Sequence, residues 1–137
     1  MREIFFRGKD ADNGEWVYGY YAHFKNMHDV KADIIYTGYA DMYMGSILPE
    51  CYDINPKTIG QYTGLTDKNG TRVFEGDIVN YNGSIHKVVF ENRYYNARFG
   101  IVVEEKETWS FGMSVPPYLM EVIGNIHDNP ELLEVKQ

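Results

Sequence analysis

Hydrophobic residues along this chain occur in short runs separated by Gly, Asn, Asp or Pro. Within several runs the side chains alternate, so that Ile78 and Asn80 would lie on one face of a strand and Val79 and Tyr81 on the other. A period of two residues is that of a β-strand. The pattern predicts strands over residues 2–7, 16–24, 32–36, 59–63, 76–81, 85–91, 99–105 and 121–127.

The segments between these runs contain residues typical of tight turns. Asp67, Asn69 and Gly70 lie in one of them, and the Asn-Gly pair is the strongest local signal of a hairpin. Gly76 and Asp77 precede the run 78–81, where Gly accepts unusual backbone angles and Asp can accept backbone amide hydrogens. All five are therefore predicted to be structural turn residues.

Short strands with regular turns indicate a mainly β protein, a small barrel or sandwich, rather than alternating strands and helices. We expect one domain over 1–137, with an N-terminal β part over 1–58, a core over 59–127 and a tail over 128–137. Residues 37–58 lack regular alternation and are predicted to form a long loop or peripheral insertion. In the tail, Pro130 suits the first position of a short helical turn.

Composition limits the class of protein without identifying it. With 137 residues the chain can bury a core without disulfide bonds, and its single cysteine, Cys51, allows no intramolecular one. Charged residues follow closely after Met1, which argues against a signal peptide, and no apolar run is long enough to span a membrane. We therefore expect a cytoplasmic protein that does not associate with membranes.

The net charge of −7 weakens the case for nucleic acid as a partner. Residues 59–103 carry four acidic and five basic side chains, whereas residues 104–137 carry seven acidic and two basic ones. Binding to phosphate backbones requires an excess of Lys and Arg. The central part of the chain is the one region where that excess exists.

The most suggestive binding segment is "ENRYYNARFG", residues 91–100. Arg93, Tyr94, Tyr95 and Arg98 combine cations with aromatic rings, which is how proteins stack on single-stranded nucleic acid. The alternative is a hairpin whose tyrosines pack on the sheet while the arginines stay in solvent. The acidic total favours this second interpretation.

No catalytic, cofactor or metal motif is found. The Asn-Gly turns fail the calcium-loop pattern, the four histidines lack metal-ligand spacing, and no glycine-rich phosphate loop is present. Glu75 and Asp77 would share a strand face and could act as paired carboxylates with a histidine. The interleaved Gly76 makes a turn the better interpretation, so we expect a non-enzymatic protein without a cofactor.

Four stretches together resemble the YopX family of small phage and prophage proteins: "MREIFFRGKD", "WVYGYY", "TIGQYTGLTDKNGTRVFEGDIV" and "VIGNIHDNPELL". The order and spacing of these stretches match across nearly the whole chain, except for 25–57. The resemblance implies a mainly β fold with an SH3-like barrel component, in a protein encoded by phages of low-GC Gram-positive bacteria and related prophages. It implies no established activity and no catalytic residues.

These observations favour a phage or prophage accessory protein that binds a host or phage protein, or further copies of itself, in the bacterial cytoplasm. Strand edges and exposed tyrosines would supply the surface. A barrel that binds single-stranded nucleic acid through Arg93, Tyr94, Tyr95 and Arg98 is the main alternative. An enzyme built on Glu75 and Asp77 is the third.

Overall fold

The computed structural model describes residues 3–93, 96–104, 107–111 and 115–134. These residues form ten β-strands: β1 (Phe6–Asp10), β2 (Trp16–Lys25), β3 (Lys31–Tyr43), β4 (Ser46–Thr66), β5 (Arg72–Phe74), β6 (Asp77–Tyr81), β7 (Ser84–Arg93), β8 (Asn96–Glu104), β9 (Glu107–Ser110) and β10 (Met120–Asn125). Two 3-10 helices, Pro117–Leu119 and Pro130–Leu133, complete the described secondary structure.

The prediction of a mainly β protein is confirmed, and each predicted strand overlaps an observed one. The prediction that residues 37–58 are irregular is wrong. They lie almost entirely in β3 and β4, which pair as a long antiparallel hairpin. Alternation failed to reveal these strands because most of their side chains are exposed on both faces, so that neither face is reserved for apolar residues.

The chain divides into two compact units, Met1–Gln61 and Tyr62–Gln137. In the first unit, β2 pairs with β1 and β3, β3 pairs with β4, and β1 pairs with β4 as well. Ile35 and Ile54 are buried here. Gly8 fits between them because a Cβ at that position would meet Ile54 Cγ2 at 2.4 Å.

The β1–β4 pairing contains an irregularity between Arg7 and Lys9. Thr58 compensates for it: its Oγ1 accepts a hydrogen bond from the backbone N–H of Lys9 at 2.8 Å and donates one to the carbonyl of Asn55 at 2.7 Å. The buried Thr58 hydroxyl therefore replaces a missing partner in the hydrogen-bond ladder, since buried backbone N–H and C=O groups need hydrogen-bond partners.

The second unit contains a five-stranded antiparallel sheet in the order β10-β6-β7-β8-β9. Its core is a cluster of aliphatic side chains: Val73, Val79, Val88, Ile101, Val115 and Met120. Ile78 and Val79 are adjacent in β6 and both fully buried, so this interior strand is covered on both faces. Asn129 precedes the last 3-10 helix, and its Oδ1 accepts a hydrogen bond from the backbone N–H of Asn125 at 3.2 Å.

Candidate interaction surface

The end of the β3–β4 hairpin projects as a two-stranded arm, which we define as residues 39–49. Its register is Ala40 with Pro49, Asp41 with Leu48, Met42 with Ile47 and Tyr43 with Ser46. Only Met44 and Gly45 connect the strands, with φ angles of 49° and 81°. Two successive positive φ values are the signature of a tight turn that matches the twist of its strands. The arm is thus a defined hairpin rather than a loop.

Apolar side chains cover both faces of the arm. Met42 and Ile47 are opposite each other and share one face, whereas Leu48 lies on the other face with Asp41. The exposed apolar side chains of the arm are Tyr39, Met42, Tyr43, Met44, Ile47 and Leu48. Met44 is 88% exposed and Tyr39 75%. Several large apolar side chains exposed together are unusual on a soluble monomer and mark interaction surfaces.

Among the strands that the structure describes, the arm pairs only within itself. The β2–β3 register runs from Tyr36 to Lys31 on β3, and the β1–β4 register begins at Ile54 on β4. Both edges of the arm therefore present backbone N–H and C=O groups to solvent. Such edges can accept another strand.

A cleft of about 450 Å³ lies beside the arm within the first unit. Its lining includes carboxylates from three places in the chain, Asp10, Glu15 and Glu50, together with aromatic side chains from β2, β3 and β4. A second hollow of about 370 Å³ is lined by Tyr39, Ala40, Asp41, Leu48 and Glu50. Tyr39 and Glu50 line both hollows, so the cleft continues onto one face of the arm.

Glu50 is held in place by two hydroxyl groups. Its Oε2 accepts a hydrogen bond from Thr37 Oγ1 at 2.9 Å, and its Oε1 accepts one from the Tyr52 hydroxyl. These bonds, that from Tyr52 first, lower the pKa of Glu50 below its usual value. The carboxylate is therefore ionised and directed into the cleft at neutral pH.

Trp16, also in the cleft lining, already contacts two cations of β1. The Arg7 guanidinium carbon lies 4.7 Å from the centroid of the indole ring, and Lys9 Nζ lies 5.4 Å from it. Both distances are within the range of cation–π interactions.

A second carboxylate with aromatic partners joins β2 to β3. The Tyr21 hydroxyl donates to Asp33 Oδ1 at 2.6 Å, and His23 Nδ1 lies 2.8 Å from the same oxygen. Burial first, and then the hydrogen bond to Asp33, raise the pKa of Tyr21 to about 12. The bonds from Tyr21 and then from His23 lower the pKa of Asp33.

The predicted Arg and Tyr surface is only partly visible. Tyr94 and Tyr95, and the side chain of Arg93, lie outside what the structure describes. Arg98 Nη2 is 3.8 Å from Glu91 Oε2, its cross-strand neighbour. The adjacent Phe99 ring packs against Phe90 at a centroid distance of 4.9 Å. Of the predicted nucleic-acid-binding cations, only Arg98 has a described side chain, and it faces the Glu91 carboxylate of its own sheet.

The structure places Asp67 at the centre of the turn that contains Asn69 and Gly70. Asp67 Oδ1 accepts backbone N–H groups of Asn69 and Thr71 at 2.8 and 2.9 Å. Its Oδ2 accepts the N–H of Val122 on β10 at 2.9 Å. One buried carboxylate thus satisfies three amides and connects the turn to a strand 55 residues away.

Gly76 and Asp77 occupy the other predicted turn. Gly76 has a φ of 92°, its N–H donates to the Val88 carbonyl at 2.9 Å, and its carbonyl accepts from Ile126 at 2.8 Å. Asp77 is 1% exposed, and its Oδ2 accepts the Phe74 N–H at 2.7 Å. The Asp77 carboxylate thus contacts the backbone of its own turn. Catalysis by Glu75 and Asp77 stays an untested hypothesis.

Among the residues that the structure describes, no three His, Cys, Asp or Glu side chains are grouped so that they could hold a metal ion. No helix there is long and apolar enough to cross a membrane.

The sequence pattern did not single out the arm or the cleft. The cleft combines Asp10 of β1, Thr37 of β3, and Glu50 and Tyr52 of β4, and no motif in the sequence connects these three strands. The arm could have been found from one signal, a Met-Gly pair between two apolar runs in "DMYMGSIL".

The fold and this surface can now be compared with known proteins. The family model described as "YopX protein" matches residues 5–134, so the chain belongs to the YopX family, which confirms the resemblance drawn from its motifs. It is similar to the crystal structure of protein EF1440 from Enterococcus faecalis, with 26% identity and a TM-score of 0.63. That match covers 97% of this chain and 99% of EF1440. No curated protein matches the chain.

Proposed function

We propose that this protein is a non-enzymatic interaction module that binds a partner protein through the arm. The observation that carries the proposal is the exposure of Met42 and Ile47 on one face of the arm and Leu48 on the other. A two-stranded hairpin alone is marginally stable in water. Covering these side chains with a partner would remove apolar surface from water, at about 25 cal/mol per Å².

The backbone of the arm suits binding for a second reason. The turn at Met44 and Gly45 closes the hairpin with two residues, so few conformations are lost when a partner binds. Met44 is a non-glycine residue with positive φ, a conformation that costs about 1 kcal/mol. Strain retained at an exposed, flexible apolar side chain supports a role in contact rather than in folding.

The remaining expectations extend this proposal. Membership of the YopX family supports a phage or prophage origin and action in the bacterial cytoplasm. The sheet formed by β6, β7, β8, β9 and β10, together with β5, would be the SH3-like barrel component, and the first unit would be the N-terminal β extension that carries the arm. The partner would be a host or phage protein, or another copy of this chain.

The test compares the wild-type protein with a Met42→Ser, Ile47→Ser double variant. Both are used for affinity capture from the lysogenic host, with nuclease treatment in parallel, and for light scattering to measure self-association. We expect the partner, or the higher oligomer, to be lost in the variant. The matched control is Leu119→Ser with Leu133→Ser, two exposed apolar residues of the second unit that should change neither result.

Equal recovery and equal mass for the arm variant and the wild type would refute the proposal. Recovery that disappears with nuclease would instead favour the nucleic-acid alternative. In that case an Arg93→Ala, Arg98→Ala variant should lose salt-dependent retention of single-stranded DNA or RNA.

A further inference from the structure

The cleft carries an excess of negative charge. Asp10, Glu15 and Glu50 line it, and its lining includes no Lys, Arg or His side chain among the described residues. The two cations nearby, Arg7 and Lys9, lie against the Trp16 ring. Three carboxylates therefore outnumber two cations around the cleft, which favours a cationic ligand over an anionic one.

Glu50 is arranged to accept further hydrogen bonds. Thr37 and Tyr52 each donate to a different oxygen and hold the carboxylate in one orientation. A carboxylate offers about four lone-pair sites, and these two bonds use about half of them. The other sites can receive the N–H groups of an ammonium or guanidinium ion.

Aromatic rings supply the rest of the wall. Tyr39 is 75% exposed, Tyr18 44% and Tyr52 37%, so ring surface is accessible to a ligand from strands β2, β3 and β4. The faces of aromatic rings attract cations. Trp16 makes such contacts with Arg7 and Lys9, neither of which lines the cleft.

The cleft is open and continues along the arm, which suits an extended peptide better than an enclosed small molecule. The adjoining hollow presents Leu48 next to Glu50 and Tyr39. A peptide lying along this face could therefore place a basic side chain in the cleft and an apolar one against Leu48.

We infer that the cleft binds a lysine or arginine side chain of an extended peptide, with the cation between Glu50 and the tyrosine rings and a neighbouring apolar side chain against Leu48. The inference rests on the proposed function, because the peptide would belong to the protein that the arm binds. It adds the chemistry by which that protein is selected.

The experiment measures binding of a fluorescein-labelled peptide of alternating lysine and leucine to the full chain by fluorescence anisotropy. Peptides with arginine, norleucine or glutamate in place of lysine are measured beside it. The lysine and arginine peptides should bind, more weakly as salt is raised, and the norleucine and glutamate peptides should bind at least about tenfold more weakly.

The matched variants are Glu50→Gln in the cleft and Glu131→Gln, an exposed carboxylate of the second unit. We expect Glu50→Gln to weaken the lysine peptide about threefold and Glu131→Gln to leave it unchanged. Tyr39→Ala should also weaken it. Circular dichroism checks that each variant keeps its strands.

Three outcomes of the peptide measurements would overturn the inference: no binding of the basic peptides at low salt, equal binding of the norleucine peptide, or no effect of Glu50→Gln. Lysine amide binding as tightly as the peptide would overturn it as well, because the cleft would then serve a free cation. Failure of the proposed function is visible separately, in partner recovery that survives Met42→Ser with Ile47→Ser.

Discussion

Two hairpin turns of this protein use their polar and apolar residues in opposite ways. At the Asp67 turn, between β4 and β5, a buried carboxylate accepts hydrogen bonds from three backbone amides. At the Met44 turn, between β3 and β4, the backbone is strained and the apolar side chains are exposed. The first arrangement stabilises the chain, and the second leaves surface that would be stabilised by a partner. Asp67 therefore serves folding, whereas the Met44 turn leaves apolar side chains exposed for the proposed binding.

The largest effect should come from removing the carboxylate of the first turn. In Asp67→Ala the N–H groups of Asn69, Thr71 and Val122 lose their acceptor. Hydrogen bonds to charged groups contribute about 1.5–3 kcal/mol each, so we expect a loss of about 3 kcal/mol or more in the free energy of unfolding. Urea denaturation measures it.

The matched control for this prediction is Asp41→Ala on the exposed arm. Asp41 Oδ1 accepts only a local bond from the Met42 N–H among the hydrogen bonds seen here, and its loss should change the free energy of unfolding by about 0.5 kcal/mol or less. Similar losses in the two variants would contradict the assignment of Asp67 to folding and of the arm to the proposed binding.

Substitutions that change the backbone strain of the two turns should have smaller effects on the free energy of unfolding, in opposite directions. Gly70 has a φ of 81° and a Cβ there would meet no atom within 4 Å, so Gly70→Ala introduces backbone strain without a clash. We expect a loss of about 1 kcal/mol. Met44→Gly relieves the strain at a φ of 49° and should gain up to about 1 kcal/mol.

Thermal and urea unfolding of both variants measure this pair of changes. A destabilised Met44→Gly variant would mean that the Met44 side chain contributes to folding, contrary to its 88% exposure. Partner capture by the same variant shows whether that side chain is part of the contact surface.

The two turns also differ in how far the sequence predicts them. The role of Asp67 can be predicted from neighbouring residues, because an Asp just before an Asn-Gly pair bonds to the backbone of its own turn. Its bond to Val122 is not, since that partner lies on a distant strand. The arm was missed because Met42 and Ile47 face solvent, and a strand exposed on both faces has no apolar period.

The cleft lies beyond sequence prediction for a related reason. Glu50 gains its fixed orientation from Thr37, which β3–β4 pairing brings near, and from Tyr52 two residues away on the same strand. No spacing of these residues suggests a cation site. The predicted Arg and Tyr segment, by contrast, was conspicuous in sequence, yet Arg98 faces Glu91 across the sheet.

The smallest expected effect concerns Asp33 on β3, whose carboxylate accepts a hydrogen bond from the Tyr21 hydroxyl. Tyr21→Phe removes the hydrogen bond that contributes most to its low pKa, so the pKa of Asp33 should rise toward the ordinary value of about 3.9. A lowered folded-state pKa stabilises the protein above the unfolded value, and that stability is lost as the pH falls through the folded one. The free energy of unfolding should therefore depend less steeply on pH at acid pH in the variant.

NMR titration of the carboxyl groups measures the pKa of Asp33, with Tyr118→Phe, a change at an exposed tyrosine, as the control. An unchanged midpoint for Asp33 would show that its other neighbours, His23 at 2.8 Å and the charge of Lys31, determine its ionisation.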